Sequence, residues 1–104
     1  DCEELFSCAS VITDDAVTDR IKRSIGKIVP GFPVLDGAHG MGSEDFAEIT
    51  QRVPSFYVML GAGPAEESKR LGQHNPKVEF NEAVLHIGAA IYAQAAMDWL
   101  EENC

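Results

Sequence analysis

One short run limits the folds open to this chain more than any other feature of the sequence. Residues 56–60 read FYVML, an unbroken aromatic and aliphatic run bounded by Pro54 and Gly61. Such a run is typical of a β-strand that is buried on both faces of a parallel sheet. A strand of this kind needs partners, because a sheet of only two strands is marginal in water.

Helical periodicity covers much of the remaining sequence. It predicts helices at about residues 14–28, 44–51 and 81–101, with Thr13 and Ser43 as caps of the first two. Pro30 and Gly31 end the first helix, and Asn81 opens the last, which is apolar over most of its circumference. Aromatic and apolar residues of the last helix, Trp99 and Tyr92 among them, are expected to hold it to the sheet.

A second short apolar run, residues 32–35, predicts a brief strand or an extended approach to a loop. The order helix, short strand, helix, buried strand, loop, helix favours the α/β class, as part of a mostly parallel sheet covered by helices. Two strands do not complete such a sheet. The missing strands are expected from preceding sequence or from another chain.

The charge of the chain excludes several classes of partner. A formal net charge of -9 over 104 residues repels nucleic acids and anionic membrane surfaces. The longest mainly apolar run, residues 84–97, is too short to cross a bilayer. Cys2, Cys8 and Cys104 form no CxxC pair and are odd in number, so free thiols are expected. We therefore expect a soluble, cytoplasmic protein that binds neither nucleic acid nor membrane.

Three motifs, in this order and spacing, carry a resemblance to a known family. They are Met41-Gly42-Ser43-Glu44-Asp45-Phe46, residues 54–63 ending in LGAG, and His74-Asn75-Pro76 leading to Phe80-Asn81-Glu82. Together they resemble the C-terminal end of metal-dependent amidohydrolases of the hippurate hydrolase and auxin-conjugate hydrolase type, within the metallo-aminoacylase and carboxypeptidase superfamily.

That resemblance implies a zinc-peptidase-like catalytic domain interrupted by a lid or dimerisation domain. Residues 1–10 would be a remnant of the insertion, and residues 11–104 the C-terminal segment of the catalytic domain. Family members hydrolyse the amide bond of N-acyl amino acids at a site with two divalent ions, of zinc, manganese, nickel or cobalt. A metal-bridging water attacks the carbonyl, and a glutamate acts as general base. The other ligands and the base are expected outside this chain, which alone is expected to be inactive.

His74 is the first-ranked site residue. It lies in a polar loop after the predicted strand, where the active sites of open α/β sheets gather. A lone loop histidine is more often a solvated surface residue, but His74 matches the family's final metal-binding histidine, which favours a metal ligand. His39 is retained only as an alternative, and His86 is interpreted as a structural residue of the last helix.

The loop before the second predicted helix supplies the other candidates. Gly42 and Ser43 are predicted to bind substrate through backbone N–H groups, although a tight turn and a simple cap would also explain them. Glu44 and Asp45 are predicted to orient this loop or support the metal ligands from behind, although acids that simply favour the start of a helix would also explain them. The acidic pair in Pro64-Ala65-Glu66-Glu67 mimics a catalytic glutamate motif and is interpreted as a solvated surface loop.

Two hypotheses follow from these residues. The first is an enzyme part whose partners are an N-acyl amino acid substrate and the remainder of the catalytic domain. The second is a non-catalytic binding or interaction module that retains the amidohydrolase scaffold. In either case the apolar helix faces predict self-association or low stability of the isolated chain.

Overall fold

The protein is described by a computed structural model covering residues 7–35, 40 and 42–104. The chain forms two compact units, Asp1–Val58 and Met59–Cys104. Across the described ranges there are three α-helices: α1 (Asp15–Ile28), α2 (Ala47–Thr50) and α3 (Leu85–Asn103). Short 3-10 turns cover Glu67–Lys69 and Glu82–Val84.

The first predicted helix is confirmed as α1, within one residue at its start. Asp14 is the N-cap, and its Oδ1 accepts a hydrogen bond from the backbone N–H of Val17 at 2.9 Å. The prediction that Thr13 caps this helix is wrong, because the Asp14 carboxylate satisfies a first-turn N–H instead. The helix ends at Ile28, and Gly31, with a φ of 76°, turns the chain in the left-handed region that glycine adopts readily.

Hydrogen bonds between segments distant in sequence close the first unit. They join residues 10–14 to residues 50–55: Asp14 N–H to Ser55 C=O (2.9 Å), Ile12 N–H to Thr50 Oγ1 (3.2 Å), and Gln51 Nε2 to Ser10 C=O (2.9 Å). The segment before α1 is therefore fixed against the segment that follows α2.

The core of the first unit is small. Ile25 is 5% exposed on α1 and Ala47 is completely buried at the start of α2. The small polar side chains of Ser24 and Ser55 are buried as well. Because Ile25 is the large apolar side chain among these buried residues, we expect much of the unit's stability to depend on it.

The second helix is much shorter than the sequence predicts. It covers only Ala47–Thr50, whereas the pattern predicts residues 44–51. Its N-cap residue is Phe46, with no side-chain capping bond, so the prediction that Ser43 caps this helix is wrong. Glu44 and Asp45 form a turn ahead of the helix instead, with backbone bonds from Ala47 to Glu44 and from Glu48 to Asp45, each 3.1 Å.

The second unit is built around α3. Asn81 opens it as predicted: its side chain accepts from the Ala83 N–H at 3.1 Å, at the start of the 3-10 turn that leads into the helix. Its own N–H donates to Ala62 C=O at 2.8 Å, which fixes the LGAG segment beside the start of the helix. A Cβ placed on Gly88 would lie 3.2 Å from Leu60 Cδ2, so the same segment packs closely on the first turns of α3.

The predicted α/β fold is wrong: throughout residues 7–35, 40 and 42–104 the structure is helical, with neither strands nor a sheet. Residues 56–60 carry no strand pairing, and of these only Phe56 is half-buried whereas the others are exposed. Residues 32–35 are likewise unpaired and exposed. The physical reason is that an apolar run becomes a strand only when another strand accepts its backbone hydrogen bonds, which its composition does not report.

Much apolar surface of the chain is exposed. Tyr92 is 76% exposed and Trp99 50% exposed, so the prediction that these residues pack α3 on a sheet is wrong for this chain. Other exposed apolar residues are Phe32, Leu35, Met59, Phe80, Leu85, Met97 and Leu100. Among the described residues, none of the helices combines the length and the apolar character needed to cross a membrane.

Gly26 provides a test of the packing around α1. A Cβ added there would meet nothing within 4 Å, whereas on Gly88 it would press on Leu60. We expect Gly26→Ala to raise the free energy of unfolding by about 0.5–1 kcal/mol, because alanine has the better helix propensity. Urea unfolding followed by circular dichroism measures this change. Gly88→Ala is the control, and an equal gain there would contradict the close Leu60 contact.

Candidate functional site

Glu44 is the most highly connected of the predicted site residues. The residue is half-buried, and both oxygens of its carboxylate accept hydrogen bonds. Oε2 accepts a hydrogen bond from the Tyr57 hydroxyl at 2.7 Å, and Oε1 accepts from the backbone N–H of Phe46 at 3.2 Å. One bond is local and the other reaches 13 residues along the chain. Glu44 therefore joins the loop before α2 to the segment that follows it.

The backbone of Glu44 is held in the same way. Its carbonyl oxygen accepts from the Ala47 N–H at 3.1 Å and from the Cys8 thiol at 3.3 Å. Phe46 and Tyr57 each donate a hydrogen bond to the Glu44 carboxylate, and their rings have centroids 5.8 Å apart and planes inclined by 35°. Tilted ring pairs at this distance attract one another. We call Cys8, Glu44, Phe46 and Tyr57 the Glu44 cluster.

These bonds favour the ionised form of Glu44. The Tyr57 hydroxyl, followed by the Phe46 N–H, lowers the pKa of this carboxyl below its ordinary value. Since the pKa is lower in the folded state than in the unfolded state, the stabilisation is present above the ordinary glutamate value of about 4.3. It is lost as the pH falls through the lower, folded-state value.

The other members of this candidate site are exposed. Gly42, Ser43 and Asp45 lie at the surface around Glu44. Because α2 has only four residues, no long helix presents its N-terminus to a ligand here. Residues 42–45 are therefore an exposed segment that is held by hydrogen bonds at Glu44.

His74 lies in the second unit, in a turn of four residues closed by the Asn75 N–H, which donates to Gly72 C=O at 3.2 Å. Its side chain is exposed. Its φ of 70° is the single positive value among non-glycine residues in the described ranges. Turns with a positive φ at the third position usually have glycine or asparagine there.

The turn that carries His74 is followed by a second local constraint. Asn75 Oδ1 accepts from the Lys77 N–H at 2.9 Å across Pro76. Side-chain bonds of this kind are typical of Asx-turns, and proline further limits the backbone. The backbone on the C-terminal side of His74 is therefore well defined.

The predicted site residues fall into separate units. The unit Asp1–Val58 contains Gly42, Ser43, Glu44 and Asp45, and within it Glu44 contacts Tyr57 and Cys8. His74 belongs to Met59–Cys104. The alternative ligand His39 lies outside the described residues, as does Met41 of the first motif.

Glu66 is engaged by neighbours in its own loop. Its carboxylate lies 2.7 Å from Lys69 Nζ and accepts from the Ser68 hydroxyl at 2.7 Å. The Lys69 ammonium, followed by Ser68, lowers the pKa of Glu66. These contacts agree with the interpretation of this acidic pair as part of a surface loop.

A divalent ion needs several nitrogen, oxygen or sulfur ligands in a defined geometry. Within residues 7–35, 40 and 42–104, His, Cys, Asp and Glu side chains nowhere come together in groups of three or more that could hold an ion. His74 offers a single imidazole. The described residues therefore do not form a complete metal centre. A single imidazole also does not determine which divalent ion would bind.

Sequence reasoning missed Tyr57 and Cys8 as neighbours of Glu44. Tyr57 lies in the apolar run of residues 56–60, and that run predicts a strand residue. The available signal was its hydroxyl, because a tyrosine inside an aliphatic run usually finds a hydrogen-bond partner. The identity of that partner, 13 residues away, is not encoded locally.

Comparison with known proteins decides the family. The model of peptidase family M20/M25/M40 matches residues 2–98. The chain belongs to this family. The resemblance carried by the three motifs is thereby confirmed, and the family is one of hydrolases. Its peptidases generally depend on metal.

Curated relatives agree with this assignment. The chain is 37% identical over 84 residues to IAA-amino acid hydrolase ILR1-like 2 of Arabidopsis thaliana, covering 81% of the chain and 19% of the relative. It is 30% identical over 89 residues to thermostable carboxypeptidase 2 of Saccharolobus solfataricus (strain ATCC 35092 / DSM 1617 / JCM 11322 / P2), covering 83% of the chain and 21% of the relative.

A third relative is N-acetylcysteine deacetylase of Bacillus subtilis (strain 168), 28% identical over 71 residues, which are 68% of the chain and 17% of the relative. The chain thus spans about a fifth of the length of these curated relatives. No solved structure matches the chain.

Proposed function

We propose that the chain is the C-terminal part of a metal-dependent amidohydrolase that cleaves the amide bond of N-acyl amino acids. The observation that carries this proposal is the family match over residues 2–98, joined by relatives named as hydrolases of such bonds, an IAA-amino acid hydrolase and an N-acetylcysteine deacetylase. In this proposal residues 1–10 are a remnant of the lid insertion, and residues 11–104 belong to the catalytic domain. The chain alone is inactive.

His74 is proposed as one ligand of the divalent metal centre, which holds two ions of zinc, manganese, nickel or cobalt in the complete enzyme. Two features support it: the imidazole is exposed, and the backbone takes a left-handed conformation that costs a residue with a Cβ about 1 kcal/mol. Backbone strain of this kind is concentrated at functional sites. The remaining ligands come from outside this chain.

Gly42 and Ser43 are proposed to bind the substrate, with Glu44 and Asp45 orienting their loop. The support is the arrangement around Glu44, whose carboxylate and carbonyl oxygen are both held, so that the exposed residues before it start from a fixed point. A binding loop held in place in advance loses less conformational entropy when the substrate binds.

The proposed partners are the N-acyl amino acid and the remainder of the catalytic domain, with assembly into a homo-oligomer. The many exposed apolar side chains support association with further protein. The proposed location is the cytoplasm. Nucleic acid and membrane are not proposed as partners, since the net charge of -9 disfavours both.

The decisive experiment reads the coding sequence upstream of the Asp1 codon, expresses the longer protein, and assays it against N-acetyl, N-benzoyl and indole-3-acetyl amino acids. We expect in-frame cysteine-histidine-aspartate and paired-glutamate segments. We also expect hydrolysis that is lost with a chelator and restored by divalent metal. A start codon close to Asp1, with neither segment present, would overturn the enzyme and leave the non-catalytic module.

A further inference from the structure

We propose that Tyr57 is a positioning residue for the substrate-binding loop: its hydroxyl holds the Glu44 carboxylate and so fixes the backbone of Gly42 and Ser43. The proposal rests on the function proposed above, because it assigns Tyr57 to the same loop. Tyr57 belongs to none of the three candidate groups predicted from the sequence, which are the metal ligand, the substrate-binding pair and the loop-orienting acids.

Tyr57 is itself anchored within its unit. Two residues before it, Ser55 is buried, and its carbonyl accepts from the Asp14 N–H at 2.9 Å. Asp14 is also the N-cap of α1. The segment that carries Tyr57 is therefore tied to the start of a helix of 14 residues, which is the longest element of this unit.

The position of Tyr57 in turn constrains the loop before α2. The 2.7 Å bond from Tyr57 to Glu44 Oε2 transmits that anchoring to the loop before α2, and the Phe46 ring contact supports the same approach. Charge-assisted bonds of this kind are stronger than neutral ones. With the Cys8 thiol on the carbonyl and Tyr57 on the carboxylate, Glu44 is held at both ends.

Holding the Glu44 carboxylate in place is a different role from proton transfer. Both oxygens of Glu44 already accept hydrogen bonds, and the titratable groups in contact with it are Tyr57, Asp45 and the Cys8 thiol. A general base works best with a pKa near the working pH, whereas the bonds from Tyr57 and Phe46 lower the pKa of Glu44 below its ordinary value. The cluster therefore acts on loop geometry.

The test is Tyr57→Phe in the 104-residue chain, studied by NMR. The variant removes the hydroxyl and keeps the ring. We expect the pKa of Glu44, followed through its side-chain carbon, to rise towards the ordinary glutamate value, and the amide resonances of Gly42 and Ser43 to shift. Tyr92→Phe is the matched control, since it removes the other tyrosine hydroxyl from an exposed site on α3.

Glu44→Gln approaches the same bond from the other side and keeps the test valid if Tyr57→Phe unfolds. It should shift the same two amides. Unchanged amides in both variants, or an unchanged pKa of Glu44 in folded Tyr57→Phe, would overturn the proposal. None of these readouts requires hydrolysis, so they stand apart from failure of the proposed enzyme.

In a longer, active protein a second readout separates positioning from general stability. Tyr57→Phe should raise KM about three- to tenfold and leave kcat within about twofold, because the loop binds the substrate equally in the ground and transition states. Tyr92→Phe should change neither constant. A fall in kcat at unchanged KM would contradict a role in substrate binding.

Discussion

Replacing His74 with alanine in the longer protein is expected to lower kcat/KM by about 100-fold or more. Loss of an outer-shell partner of a metal ligand already costs about 10- to 100-fold. Loss of a direct ligand should cost no less. The same variant should purify with less bound metal. Measuring metal content by mass spectrometry beside kcat/KM links the two effects.

His86→Ala is the matched control, since His86 is an exposed histidine on α3 in the same unit. It should retain its metal and its activity. His74→Gly adds a second comparison, because glycine adopts a φ of 70° without strain. It should lose activity as alanine does, with no loss of stability. Equal metal content in the His74 and His86 variants would contradict the ligand assignment.

The positions of α1 and α3 were predictable from the sequence because their signals are local. An acidic cap before a periodic apolar segment marks the start of α1, and Asn81 marks the start of the segment leading into α3. Even the error at Thr13 concerns adjacent residues that can both cap. Hydrogen bonds between residues three and four apart need nothing from the rest of the chain.

The absence of a strand at residues 56–60 could not be predicted in the same way. The apolar composition of this run indicates a preference for burial, but a strand exists only through pairing with a second segment. Tyr57 illustrates the difference between the predicted strand and the structure. Its hydroxyl donates a hydrogen bond to Glu44, whereas a strand residue was expected to pack within a sheet covered by helices. Pairing and burial are non-local properties, and composition does not fix them.

The candidate site was predictable only in part, for the same reason. The motifs identified Glu44 and His74 as single residues, but neither the Tyr57 bond nor the Cys8 bond was evident, since these span 13 and 36 residues. The left-handed φ of His74 was also hidden, although the preceding Gly72 and following Pro76 indicated a turn. The residue type determines which chemistry a side chain can perform. Its hydrogen-bond partners and its backbone conformation depend on the fold.

Ile25→Ala is expected to have the largest effect on stability, lowering the free energy of unfolding of the first unit by about 2–3 kcal/mol. Ile25 is 5% exposed, and the other buried residues of this unit, Ala47, Ser24 and Ser55, all have small side chains. Both a lost transfer free energy and a residual cavity contribute to the cost. Urea unfolding followed by far-UV circular dichroism measures the change.

Leu35→Ala removes the same number of carbon atoms from a side chain that is 85% exposed, so it should change stability by no more than about 0.5 kcal/mol. The difference between the two variants isolates burial from side-chain size. It also tests the architecture, because a unit with so small a core should depend on one large apolar residue. Equal effects at Ile25 and Leu35 would mean that α1 is not packed as the structure has it.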